Sequence, residues 1–149
     1  RSDAFIEGHS NKVDIYDFEP GTFEMFVEFM YFGRYTYKDD LTDHLRLRDS
    51  AKAWILGDYF DAVEFKNFAI RNLHDVYMSP GSGGRPKTGI GPKMVDYCYS
   101  QTASGSPLSQ LVLAFLVQNW HDSDIIHYDG GGSWELVWAQ HPTLRDELL

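Results

Sequence analysis

The sequence predicts a mainly α-helical protein, formally α+β because one short strand precedes the helices. Large apolar residues recur at three- and four-residue spacing in several segments, the period of a helix packed on one side. Pro20, Pro92, Pro107 and Pro142 stand where helices can begin, a position at which the missing proline N–H is not needed. Period-two alternation is confined to Asn11-Lys12-Val13-Asp14-Ile15-Tyr16, where Val13 and Ile15 alternate with Lys12 and Asp14. A lone strand is not stable by itself, so either its partners lie upstream of Arg1 or the segment is frayed here.

Taken in order, Ala4-Phe5-Ile6-Glu7 leads into that strand. The first helix starts at Pro20, carries Phe23, Phe26, Val27, Met30 and Tyr31 as its expected inward stripe, and stops at Gly33. Arg34 to Asp40 reads as a polar, tyrosine-containing loop. Leu41, Leu45 and Leu47 precede a second helix with Ala51, Trp54 and Ile55 inward, in which Gly57 permits close approach of a neighbour. Asp61 is expected to cap a third helix that buries Phe65, Phe68, Ala69, Leu73 and Val76. The link between these two helices is short, which favours an antiparallel pair.

Ser79 to Pro92 holds five glycines and three prolines in fourteen residues and reads as a flexible connection. Beyond it, Pro92 opens a short helix with Met94, Val95, Cys98 and Tyr99. Ser106 and Pro107 are a good cap and first residue for a helix that buries Leu111, Val112, Phe115 and Leu116. Gly130-Gly131-Gly132 marks a loop, Trp134 to Trp138 a short helix, and Pro142 the start of a last helical turn.

The 149 residues suffice for one domain or for a small domain with an extension, and 43% hydrophobic and 15% aromatic content is enough to build a core. A net charge of −9 argues against nucleic acid as a direct partner, because phosphate binding needs clustered Lys and Arg. With Cys98 as its single cysteine the chain cannot form an internal disulfide, which points to an intracellular compartment, cytoplasmic or nuclear. The longest apolar run, Leu111 to Val117, is far shorter than a membrane span. No signal peptide is visible at the N-terminus.

The succession Phe5-Ile6-Glu7, Val13 and Ile15, Pro20-Gly21-Thr22-Phe23, Tyr31-Phe32-Gly33, Trp54 to Phe60, then Phe65, Asn67, Ala69 and Ile70 resembles the later two-thirds of a BTB/POZ domain of the filamentous-fungal type. Val95-Asp96-Tyr97-Cys98-Tyr99, followed by Ser104-Gly105-Ser106-Pro107-Leu108, resembles an element common downstream of such domains. The resemblance implies a partial BTB/POZ domain over 1–78, a Gly/Pro-rich linker over 79–92 and a helical extension over 93–149. It implies that the family's first strands and helices precede Arg1, and that a homodimer depends on them. It also implies a non-catalytic protein-interaction module without a cofactor. In the finer form this is a substrate adaptor for a cullin-type ubiquitin ligase. The alternative is a self-assembling scaffold or regulator with no ligase link.

The residues expected to contact a partner are Phe5 and Glu7, a hydrophobic-x-Glu motif that engages a cullin scaffold in several family members, and Tyr35 and Tyr37, read as exposed loop tyrosines. A reading from another class is a small metal-dependent hydrolase using His121, Asp124 and His127. Their spacing fits no helical ligand pair, so no metal site is expected. Gly81 to Thr88 lacks the spacing of a phosphate loop, and no Gly-x-Ser-x-Gly nucleophile turn occurs.

Overall fold

The computed structural model describes residues 15–36, 47–128 and 133–148. Among these residues the architecture is all-helical, with seven α-helices and no strand. They are α1 (Pro20–Phe32), α2 (Asp49–Phe60), α3 (Val63–Met78), α4 (Pro92–Ser100), α5 (Pro107–Asn119), α6 (Trp134–Gln140) and α7 (Pro142–Leu148).

The expectation of one remaining strand is overturned. Ile15–Asp17 forms a 3-10 turn, closed by the Phe18 N–H donating to the Ile15 carbonyl at 3.4 Å. Residues 11–14 of the expected strand lie outside the described residues. The physical reason is local. Phe18 packs edge-on against Phe23 and Tyr59, with ring centroids 6.1 and 5.6 Å away, so the chain turns into the start of α1 instead of extending.

Helices α2 and α3 form the centre. Asp61, in the left-handed conformation (φ 57°), ends α2, and the Ala62 N–H returns to the Gly57 carbonyl at 2.7 Å. Asp61 thus terminates α2, whereas the sequence pattern gave it the cap of α3. The N-cap of α3 is Ala62, without a side-chain hydrogen bond. A Cβ at Gly57 would lie 2.7 Å from Lys66 Cγ and 3.1 Å from Phe65 Cδ2, so this glycine sets the separation of the two helices. Around it Ala51, Ala53, Ile55 and Leu56 of α2 and Phe65, Ala69 and Leu73 of α3 are buried. Lys66 spans the pair, bonded to Asp58 at 3.2 Å and lying 5.3 Å from the Trp54 ring.

The remaining helices build outward from α3. Tyr77 of α3 meets Phe115 of α5 with centroids 4.8 Å apart, and one continuous buried core runs from Met25 to Leu144. The inward residues of α4 (Met94, Val95, Cys98) and of α5 (Leu111, Val112, Phe115, Leu116) are those the helical spacing predicts. Ser106 caps α5, accepting from the Ser109 N–H at 3.1 Å while its hydroxyl meets Thr102 at 2.8 Å.

Residues 79–92, expected to be a flexible connection, act as a packed strap in their second half. Residues 88–92 are all buried. The Ile90 N–H donates to the Ile125 carbonyl at 2.8 Å, and the His127 N–H donates to the Ile90 carbonyl at 2.9 Å. Buried Arg48, at the start of α2, donates to Thr88 at 3.1 Å and ties the strap to the central pair. A Cβ at Gly89 would overlap the His127 ring and the Ile125 carbonyl. Gly89→Ala is therefore expected to lower stability by about 1–3 kcal/mol, as overpacking does. Urea unfolding measures this, and an unchanged midpoint would mean that the strap yields freely.

Candidate interaction face

Helix α1 is strongly apolar, its charges being Glu24 and Glu28, and a helix of that composition ordinarily buries most of its surface. Here its described neighbours cover one side only. Thr22 and Met25 are buried, and Phe23, Phe26 and Phe29 are half-buried against α2 and α3. Phe26 stacks on Phe60 at 5.4 Å and meets Phe65 edge-on at 5.0 Å. Phe29 contacts Phe65 and Phe68 at 5.4 and 5.5 Å.

On the other side Val27, Met30, Tyr31 and Phe32 are 52%, 69%, 80% and 68% exposed. Val27, Met30 and Tyr31 were expected in the inward stripe, and in the structure they point away from the core. Apolar spacing alone does not choose the face, because apolar residues occur on both sides; the choice falls to the phenylalanines that interlock with α2 and α3. The signal that was available is the pair Glu24 and Glu28, four residues apart, which marks the side that Val27 and Tyr31 share as the outward one. Beside this face, Phe29, Met30, Gly33, Glu64, Asn67 and Arg71 line an open cleft of about 560 Å³.

Of the residues expected to contact a partner, Tyr35 is buried rather than exposed, at 4%. Its hydroxyl lies 2.8 Å from the Ser50 hydroxyl and accepts from the Asn72 amide at 3.3 Å, and its ring meets Phe68 at 4.8 Å. It is a packing residue that anchors the chain after α1. Phe5, Glu7 and Tyr37 lie outside the described residues.

The residues of the hydrolase reading do not converge. His121 is exposed, and Asp124 lies 3.7 Å from Arg85, which also bonds Asp122 at 2.7 Å. His127 packs over Gly89. Among the described residues no group of three or more His, Cys, Asp or Glu side chains is placed to hold a metal ion.

A Ser-His-Asp grouping that sequence inspection missed does exist at Ser100, His141 and Asp96. His141 Nε2 is 2.9 Å from Asp96 Oδ1 and 3.4 Å from Ser100 Oγ, and Ser100 donates to the same Asp96 oxygen at 3.1 Å. A nucleophile relay needs the two imidazole nitrogens on different partners. Here one nitrogen faces both, which makes a closed triangle that latches α4 to the start of α7. It borders a cleft of about 390 Å³ lined by Tyr99, Gln110, His141 and Glu147 among others.

Cys98 is fully enclosed, and burial pushes its thiol well above the usual thiol range. It is expected to resist a thiol reagent in the native state and to react fully in denaturant; rapid native labelling would contradict this burial. Burial also pushes the Tyr99 phenol up from 10.0 to about 12 and raises Tyr97 in the same direction. A phenol whose folded value is raised binds its proton more tightly in the native state. Its contribution is intact below pH 10.0 and is lost as pH rises through about 12, so unfolding measured against pH should show stability declining over that interval. Among the described residues no helix is long and apolar enough to cross a membrane. Comparison with family models, with curated proteins and with solved structures gives no match to this chain.

Proposed function

We propose that this chain is a non-catalytic protein-interaction module that binds through the outward face of α1. The observation that carries this is the exposure of Val27, Met30, Tyr31 and Phe32 on a helix whose composition is that of a core element. Several large exposed apolar residues grouped on one helix and edged by charged ones mark sites where another protein packs. Tyr and Met are among the residues enriched at such contacts.

The BTB/POZ resemblance supports the same class of function, since that family assembles proteins and carries no reaction. Its finer form, an adaptor that presents a substrate to a cullin-type ligase, rests on Phe5 and Glu7 with the surface near Tyr35 and Tyr37, and of these Tyr35 is buried. The face of α1 favours the assembly form, because the exposed residues there are large, apolar and close together on one helix.

Placing a photo-crosslinking amino acid at Tyr31 in cells is expected to trap discrete protein adducts. The same amino acid at Arg145, exposed on α7, should not give them. Identical patterns at the two positions would remove α1 as the binding face.

A further inference from the structure

The cleft beside the Asp96, Ser100 and His141 triangle lies between the end of α4, the first half of α5 and α7, and its volume is about 390 Å³. That volume falls in the range of about 300–1,000 Å³ that small-ligand sites occupy. None of the described residues that line it belongs to α1, so an assignment here is independent of the interaction face.

The lining offers rings and acceptors. His141 Nε2 lies 2.9 Å from Asp96 Oδ1 and donates there, which holds the imidazole in one tautomer. Nδ1 is then an acceptor, and it has no hydrogen-bond partner among the described residues. The Tyr99 ring stands 5.6 Å from the His141 ring, and the phenol donates its proton to the Ser109 carbonyl at 3.2 Å. Gln110 likewise commits its amide N–H to the Gly105 carbonyl at 2.9 Å. Ser104, Gln140 and Thr143 can donate or accept and set no preference.

Glu147 brings a carboxylate to the same cleft and makes no ion pair or hydrogen bond with a described residue. It stands in the last turn of α7, where the helix carbonyls disfavour a negative charge. Burial, and after it the charge of Glu147, holds the Tyr99 phenol up at about 12. Among the described lining residues there is no lysine or arginine to neutralise that carboxylate.

The geometry points to this cleft as a binding site for the guanidinium side chain of an arginine. A guanidinium is planar and always charged, presents its N–H donors in a fixed fork and stacks on aromatic faces. The Glu147 carboxylate and the His141 Nδ1 lone pair accept from its N–H groups. The rings of Tyr99 and His141 take its plane, and Leu113 and Pro142 supply apolar lining for its methylene stem. An ammonium would satisfy the carboxylate but has no plane to lay on the rings. An anion would meet an unpaired negative charge. The net charge of −9 favours approach of a cationic ligand.

NMR titration of the isotopically labelled full chain tests this. N-acetylarginine N-methylamide is expected to give saturable shifts at the amides of Tyr99, His141 and Glu147. The citrulline counterpart has the same shape without the charge and should bind about tenfold more weakly, as should the lysine counterpart. Glu147→Gln should weaken the arginine probe about tenfold and leave the rest of the spectrum in place, because Glu147 is exposed and unbonded.

No saturable shift at these residues would overturn the assignment. Equal binding of the citrulline or lysine probe, or unchanged affinity in Glu147→Gln, would overturn it too. Free arginine separates the two sources of such a ligand. Tighter binding of the blocked probe supports an arginine carried by a protein segment, and tighter binding of free arginine supports the amino acid itself.

Discussion

Helices α2 and α3 meet at Gly57 with no space for a side chain, and the rest of the molecule is positioned from that contact. Any Cβ there would press on Lys66 and Phe65, and Phe65 is the ring on which Phe26, Phe29 and Tyr35 converge. A wider hairpin would move Phe65, and with it the seat of α1. The same hairpin holds the strap through Arg48 and Thr88, and holds α5 through Tyr77 and Phe115. Close packing at one glycine thus fixes which side of α1 is turned inward. The side left outward follows from it.

Much of the fold is legible in the sequence where helices are amphipathic. The inward residues of α4 and α5 follow directly from three- and four-residue spacing, and Ser106 with Pro107 marks the start of α5 to the residue. Legibility fails where the pattern is uniform or composition misleads. In α1 large apolar residues stand on both sides, so their spacing alone does not choose the inner face, and only Glu24 and Glu28 mark the outer one. In residues 88–92 the glycines suggest slack, yet they are small because Ile90 must reach Ile125 and Ile126 with backbone in close contact on both sides. An isoleucine set between glycines was the available sign. Tyr35 looks like a loop tyrosine, but its burial depends on Ser50, Asn72 and Phe68, all distant in sequence.

Polar side chains that invite a chemical interpretation serve here as fasteners. Asp122 and Asp124 hold Arg85 at the edge of the strap, Asp75 holds Lys87 at 3.1 Å, and Asp96, Ser100 and His141 join α4 to α7. Thr102, Ser106 and Ser109 satisfy one another inside the core at the start of α5. Apart from the local Thr102–Ser106–Ser109 group, these contacts bridge segments distant in the sequence: they fasten the strap to α3 and to the turn after α5, and α4 to the start of α7. Specific pairing of this kind selects one arrangement among the several that apolar contact alone would tolerate.

The turn at Ser82–Gly84 has a practical consequence for anyone wishing to label this protein. Its ends are joined, with the Gly81 N–H donating to the Arg85 carbonyl at 2.5 Å and Pro80 bridged to Pro86, while its tip is exposed. Gly83 and Gly84 have nothing within 4 Å of where a side chain would begin. A loop pinned at its base and open at its tip accepts foreign sequence with little disturbance to what lies beneath. An epitope or a small fluorescent domain inserted between these glycines would report on the protein's location and assembly while both chain termini remain unaltered.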